Sequence, residues 1–148
     1  MKKIYLIIVL LISITNSFAQ SYTQKWNDIY KRTEFFDSYG NLKGWAKWND
    51  LYDRMEYFDQ YGNMTKYEKN NDLYNRKETK DSYGNIQSTR KYNNLYDREE
   101  IKDSYGNLTG YKKWNSLYER YDVYNKNGSL IGYYKYNNLY QRWEYHEN

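Results

Sequence analysis

Cysteine and proline are absent from the 148 residues, and histidine occurs once, as His146 near the end. Without cysteine there is no disulfide framework, no thiol nucleophile and no attachment point for a lipid. With a single histidine at the tail, no serine has a base to complete a triad, so acyl-transfer chemistry of that kind is excluded. Missing proline leaves turn formation to Gly, Asn and Asp. Long apolar runs are equally scarce. Ile4 to Ile14 forms one, shorter than the about 20 residues a spanning helix needs, so no transmembrane segment is expected in the mature chain. Lys2 and Lys3 precede that run and Ser17-Phe18-Ala19 follows it, the layout of a secretory signal peptide at residues 1–19 with cleavage after Ala19. The mature domain is then 20–148, exported to the periplasm, cell surface or extracellular space.

Aromatic residues are what the chain has in excess. Mean hydropathy is −1.23, a value typical of disorder, yet 22 tyrosines, five tryptophans and four phenylalanines accompany it. Rings bring large apolar area with a polar edge, which lets a thin, half-wet structure hold together without a thick aliphatic core. The net charge is +4, and two of those positives lie in the leader, leaving about +2, too little to indicate nucleic acid as a partner.

A 22-residue period runs without insertion or deletion from Trp26, with units starting at Trp26, Trp48, Asn70, Tyr92, Trp114 and Tyr136. Asn49, Tyr52 and Arg54 have identical counterparts in all six units, and Gly40, Gly62, Gly84, Gly106 and Gly128 keep a fixed place. A fixed period of this length marks a repeat architecture. Asn49-Asp50 suits a two-residue hairpin turn, and Asp59-Gln60-Tyr61-Gly62 a four-residue loop closed by glycine. The aromatic stretches between them have strand length and strand chemistry. Each unit therefore reads as one β-hairpin. The expected fold is an all-β antiparallel meander of about twelve strands in an extended, curved or coiled sheet, whose unpaired end strands invite edge-to-edge self-association.

If Trp48 and Leu51 flank the short turn, Lys47 meets Tyr52, Trp45 meets Arg54, Lys43 meets Glu56 and Leu42 meets Tyr57; across the next loop Tyr57 meets Met64 and Arg54 meets Tyr67. One face then carries two apolar rows. The first is Phe35, Leu42, Tyr57, Met64, Thr79, Ile86, Ile101, Leu108, Val123, Leu130, Tyr145; the second alternates Trp26, Trp48, Asn70, Tyr92, Trp114 and Tyr136 with Ile29, Leu51, Leu73, Leu95, Leu117 and Leu139. Gly44, Gly110 and Gly132 fall opposite Met55, Tyr121 and Trp143, a large side chain covering a bare glycine. Arg90 with Asp97 and Lys112 with Glu119 form ion pairs in the adjoining row. The other face is a lattice of rings and cations, with Tyr52, Tyr74, Tyr96, Tyr118 and Tyr140 beside lysines, and Trp45, Tyr67, Tyr111 and Tyr133 beside Arg54, Arg76, Arg120 and Arg142. Thr89 interrupts the ring row. A parallel β-solenoid with one unit per coil is the alternative, but it would stack Arg54 on Arg76 and Lys47 on Lys69, like charge on like charge.

The stretch Glu56 to Met64, E-Y-F-D-Q-Y-G-N-M, resembles the aromatic hairpin repeats of bacterial choline- and glucan-binding modules. Asp37 to Leu42 and Asp103 to Leu108 resemble the YD repeats of Rhs-type secreted proteins, and the array as a whole is similar to MORN repeats. These resemblances imply an exported hairpin array that binds rather than catalyses.

Recurring carboxylates such as Glu56, Glu78, Glu100 and Glu144 form a ladder facing lysines, not the unequal pair a glycosidase uses. Asp59 and Asn63 supply one acid per loop, short of the six to eight oxygens Ca²⁺ takes, and turn formation accounts for both. No cofactor or metal is expected. The functional expectation is a non-enzymatic module that binds an envelope polysaccharide or an exported protein through its ring-and-cation face, the ligand-binding residues being Trp45, Tyr67, Tyr111, Tyr133, Arg54, Arg76, Arg120, Arg142, Tyr52, Tyr74, Tyr96, Tyr118 and Tyr140. The alternative is a structural, self-assembling protein that takes no small ligand.

Overall fold

Alternating side chains and turn residues at every 22-residue step produce six hairpins in a computed structural model that describes residues 23–140 and 142–148. They are β1 (Thr23–Asn27) with β2 (Arg32–Phe36), β3 (Leu42–Asn49) with β4 (Arg54–Asp59), β5 (Met64–Asn71) with β6 (Arg76–Asp81), β7 (Ile86–Asn93) with β8 (Arg98–Asp103), β9 (Leu108–Asn115) with β10 (Arg120–Asn125), and β11 (Leu130–Asn137) with β12 (Arg142–Glu147). Neighbours in sequence pair antiparallel throughout, and β1 meets β12, so the meander closes into a twelve-stranded barrel. The expected signal peptide, at 1–19, lies outside the described residues. Among those described, no helix is long and apolar enough to cross a membrane.

Closure corrects the expectation of an extended sheet. Strand twist accumulates over twelve strands, and joining the two ends satisfies the backbone groups that an open meander would leave bare. Among the described residues the seam pairs Thr23 with Glu144, where β2 with β3 and β3 with β4 pair four and six residues.

The register also differs from expectation by even steps. Asn49 does not enter a two-residue turn but pairs with Arg54, so the loop is four residues long, from Asp50 to Asp53. The Asn49 side chain explains this, since its Oδ1 accepts hydrogen bonds from the amides of Leu51 (3.1 Å) and Tyr52 (3.3 Å), a side-chain-built turn that lengthens the loop. Trp45 therefore faces Phe58, and Lys47 faces Glu56, not Arg54 and Tyr52. On the other side the Asp59 loop is as chemistry demands. Asp59 Oδ1 accepts from Tyr61 N and Asn63 N, both at 2.9 Å, and Gly62 takes φ 93°.

Even shifts keep each residue on its face, but a β-bulge after every Asp loop does not. Tyr57 pairs with Lys66 while Phe58 pairs with Met64, leaving Thr65 as the extra residue; its hydroxyl donates to the Tyr57 carbonyl at 3.2 Å. The bulge moves Met64 to the outer face, where Arg54 approaches its sulfur. The first expected apolar row is thus split, with Tyr57, Ile101 and Val123 buried inward and Leu42, Met64 and Leu108 paired with outward residues. The second row is split as well. Ile29, Leu51, Leu73, Leu95, Leu117 and Leu139 sit on loop tips, 80–85% exposed, while Trp48 packs inward on Ala46, Met55 and Tyr57.

The glycine pairings change accordingly. Gly44 faces Phe35 and Asp59, Gly110 faces Ile101 and Asn125, and Gly132 faces Val123 and Glu147. A Cβ at Gly110 would fall 2.6 Å from the Tyr124 carbonyl oxygen, and one at Gly44 would meet the Phe58 carbonyl, so at these two positions glycine permits close approach of two backbones; at Gly132 a large side chain does cover the bare position, that of Tyr145 and not of Trp143.

Candidate functional site

The outer surface repeats one unit, built from the invariant Asn, Tyr and Arg and one acid. In the third repeat Arg76 donates from Nε (2.9 Å) and Nη2 (2.7 Å) to Glu78, and Asn71 Nδ2 donates to the same carboxylate oxygen at 2.9 Å. Asn71 Oδ1 in turn accepts from Tyr74 N at 3.3 Å, so one asparagine links loop to lattice. Arg120 and Asn115 hold Asp122 likewise, at 2.6 and 2.7 Å. Each of the six guanidiniums of this outer row also lies over the loop tyrosine of its own repeat, from 4.6 Å at Tyr30 to 4.8 Å at Tyr74.

A second ring flanks four of the six arginines. Trp45 lies 4.2 Å from Arg32, Tyr67 4.2 Å from Arg54, Tyr111 4.2 Å from Arg98 and Tyr133 3.9 Å from Arg120. Of the ring and arginine partners expected from the sequence, Arg54 with Tyr67 across the longer loop is present; the others move to the arginine of the preceding repeat. On their far sides Trp45 stacks on Phe58 (5.7 Å), Tyr111 on Tyr124 (4.8 Å) and Tyr133 on His146 (4.9 Å). These three rings are thus enclosed between protein groups, with edges outward. Tyr52, Tyr74, Tyr96, Tyr118 and Tyr140 differ, since each rests on an arginine and remains 53–61% exposed.

The lattice carboxylates are held as anions. Burial works to raise Glu78, but hydrogen bonds from Arg76, Asn71 and Lys80 outweigh it and hold the carboxyl below its ordinary value. The Arg98 hydrogen bond does the same at Glu100 against a smaller burial effect. Arginine charge in the row is therefore neutralised locally. The lysine row is not: Lys69 and Lys91 donate to the carbonyls of Tyr52 and Tyr74 at 3.2 and 3.1 Å, and among the described residues neither forms an ion pair.

Ionic side chains also enter the barrel interior, an arrangement not anticipated from the sequence. Arg90 reaches Glu68 at 2.6 Å and Lys112 reaches Glu99 at 2.8 Å, while Lys66 lies 4.8 Å from the buried Tyr57 ring. Asp97 and Glu119, the partners expected for Arg90 and Lys112, occupy left-handed turn positions at φ 50° instead, and Asp97 accepts from the Tyr92 hydroxyl. The interior is apolar at its two flanks, around Ala46, Met55 and Tyr57 and around Val123 and Tyr134, with the ion pairs between. Burial depresses Lys66 and Lys112, with Glu68 and Glu99 opposing. The signal was present in the sequence as departures from the repeat: positions 46, 68, 90, 112 and 134 read Ala, Glu, Arg, Lys, Tyr.

No family model matches the sequence, and no curated protein matches it. Among solved structures, that of a protein from Arabidopsis thaliana is similar in fold, with a TM-score of 0.64 at 11% identity over 88% of this chain and 82% of that one. A likeness at that identity extends to the barrel architecture alone.

Proposed function

We propose that the chain is an exported, non-catalytic binding barrel whose ligand is an envelope glycan, engaged by the ring-and-cation surface. The observation that carries this reading is the row of loop tyrosines, each rigidly backed by an arginine and more than half exposed. A ring held flat in this way is a stacking platform for a sugar that loses little entropy on binding. The unpaired lysines beside it supply donors for hydroxyl or acidic groups. Resemblance to glucan-binding hairpin repeats points the same way. The outer face also carries Lys47, Lys69, Lys91, Lys113 and Lys135 in an exposed row, which is incompatible with the apolar band of a lipid-spanning barrel.

A glycan-array screen of residues 20–148 tests the reading, with Tyr74→Ala and Tyr96→Ala compared against Tyr61→Ala at the opposite barrel end. Binding that is lost in the first two variants and kept in the third supports it. The absence of glycan binding by the parent protein would refute it.

A second reading, self-assembly or capture of an exported protein, draws on a separate observation. The six aliphatic loop tips all lie at one end of the barrel, because every four-residue turn joins an odd strand to the next even one. Association between edges would require the β1–β12 seam to open, so assembly would proceed through this rim. Sedimentation across concentration, with Leu73→Ser and Leu95→Ser, checks it: concentration-dependent growth abolished by the pair favours rim association.

A further inference from the structure

Two hollows lie side by side on the outer surface, one repeat apart. The first, of about 470 Å³, is walled by Arg76, Lys91 and Lys102 over Thr89; the second, of about 450 Å³, by Arg54, Lys69 and Lys80 over Tyr67. Equivalent cations line both. They share this region because two outer positions depart from the repeat: where Phe58, Tyr124 and His146 stack on neighbouring rings, the third and fourth repeats place Lys80 and Lys102. Thr89 removes the ring that would fill the space beside Arg76, whose side chain is accordingly the most exposed of the arginine row, at 30% against 19–24% for the others.

The lysines supply the free charge of the hollows. Each wall has three cations and a single acid, Glu100 in the first and Asp53 in the second; Glu78 bonds both Arg76 (2.7 Å) and Lys80 (3.2 Å) and Glu56 bonds Arg54, so among the described residues Lys69 and Lys91 are the wall cations that no carboxylate meets. Glu100 is already held by Arg98 at 2.8 Å, and Lys102 lies a loose 3.9 Å from it. Asn94 and the Thr89 hydroxyl add neutral hydrogen-bonding groups to the first wall, which suits a ligand rich in hydroxyls. Two strands separate the hollows, about 9.5 Å at ordinary strand spacing, comparable to a disaccharide unit.

We propose that these hollows are neighbouring subsites for a linear acidic glycan, one carboxylated sugar in each with one sugar between them, Lys91 and Lys102 binding the first carboxylate beside Arg76 and Lys69 and Lys80 the second beside Arg54. The inference rests on the glycan-binding reading above and names its ligand class. Threonine in place of a ring at position 89 gives the first subsite its room, and the lysines give both their sign.

Titration of residues 20–148 with an oligogalacturonate, followed by calorimetry alongside a neutral gluco-oligosaccharide and a single-stranded oligonucleotide, tests it. The expected result is preference for the oligogalacturonate, weakened by salt and reduced at least about tenfold by Lys80→Gln with Lys102→Gln, since two charge contacts are lost. Lys69→Gln with Lys91→Gln, which breaks no ion pair, gives a second variant should the first disturb the fold, and is expected to act in the same direction. Thr89→Tyr should fill the first subsite and weaken binding while raising the melting temperature. Lys126→Gln, at an exposed lysine of the opposite barrel end, should change nothing. Equal loss on Lys126→Gln, tighter binding of the oligonucleotide, or unchanged affinity in both lysine pairs overturns the proposal. Neutral glycan bound with no acidic preference would overturn the subsites and leave the glycan reading standing; no binding of any glycan removes both.

Discussion

Lys31, Asp53, Asn75, Asp97 and Glu119 hold φ between 47° and 51°, one in each of the first five short loops. Left-handed backbone strains a residue with a Cβ, least for Asn and Asp. Glu119→Gly is therefore expected to raise stability by about 0.5 to 1 kcal/mol, the relief of strain exceeding the added unfolded-state entropy; a thermal melt checks it. Gly110→Ala acts in the opposite sense. Its Cβ meets the Tyr124 carbonyl, and a loss of about 1 to 3 kcal/mol is expected from the forced separation of two strands. At this scale the sequence was legible where chemistry restricts choice. Gly62 after Asp59 admits few conformations, and the expected turn is the observed one. The left-handed site of the short loop is filled by Lys, Asp, Asn, Asp and Glu in turn, a set that hides its conformation.

Hairpins are joined into a surface by the arginine row. Arg98 lies over Tyr96 at 4.7 Å and Tyr111 at 4.2 Å while its Nε and Nη2 bond Glu100. Lysine cannot supply the planar face or the fork, so Arg98→Lys is expected to cost about 1 to 2 kcal/mol, read as a lowered denaturation midpoint. Rings beside cations on one face were legible because the repeat places them at a fixed parity. Which ring meets which cation was not: Asn49 could begin a two-residue or a four-residue loop, and its side-chain bonds to Leu51 and Tyr52 decide the matter only in three dimensions. The bulge at Thr65 was hidden for a related reason. Nothing in the composition of Asn63-Met64-Thr65 distinguishes an extra residue from a paired one, yet it turns Met64 from core to surface.

The whole barrel couples its stability to pH at both extremes. Glu78, Glu100 and Glu144 are held below their ordinary value near 4.5 in the fold, so the unfolded chain binds protons more readily. The stability they contribute is complete above about pH 4.5 and is lost as pH falls through the depressed folded values. Burial, foremost, pushes the Tyr57 and Tyr134 phenols up from 10. Their neutral forms belong to the fold, so stability present below pH 10 declines as pH climbs beyond it. Denaturant melts from pH 2 to 11 should show a plateau with both shoulders.

Closure itself could not be read from local pattern, because a twelve-strand meander and a twelve-strand barrel share every hairpin and differ at one seam. That seam gives the most direct test of the account. In an NMR spectrum of residues 20–148 at monomeric concentration, closure predicts cross-strand backbone contacts between Thr23 and Glu144, together with those of Lys69 with Glu78. Contacts within every hairpin but none between Thr23 and Glu144 would contradict the barrel and return the molecule to an open sheet.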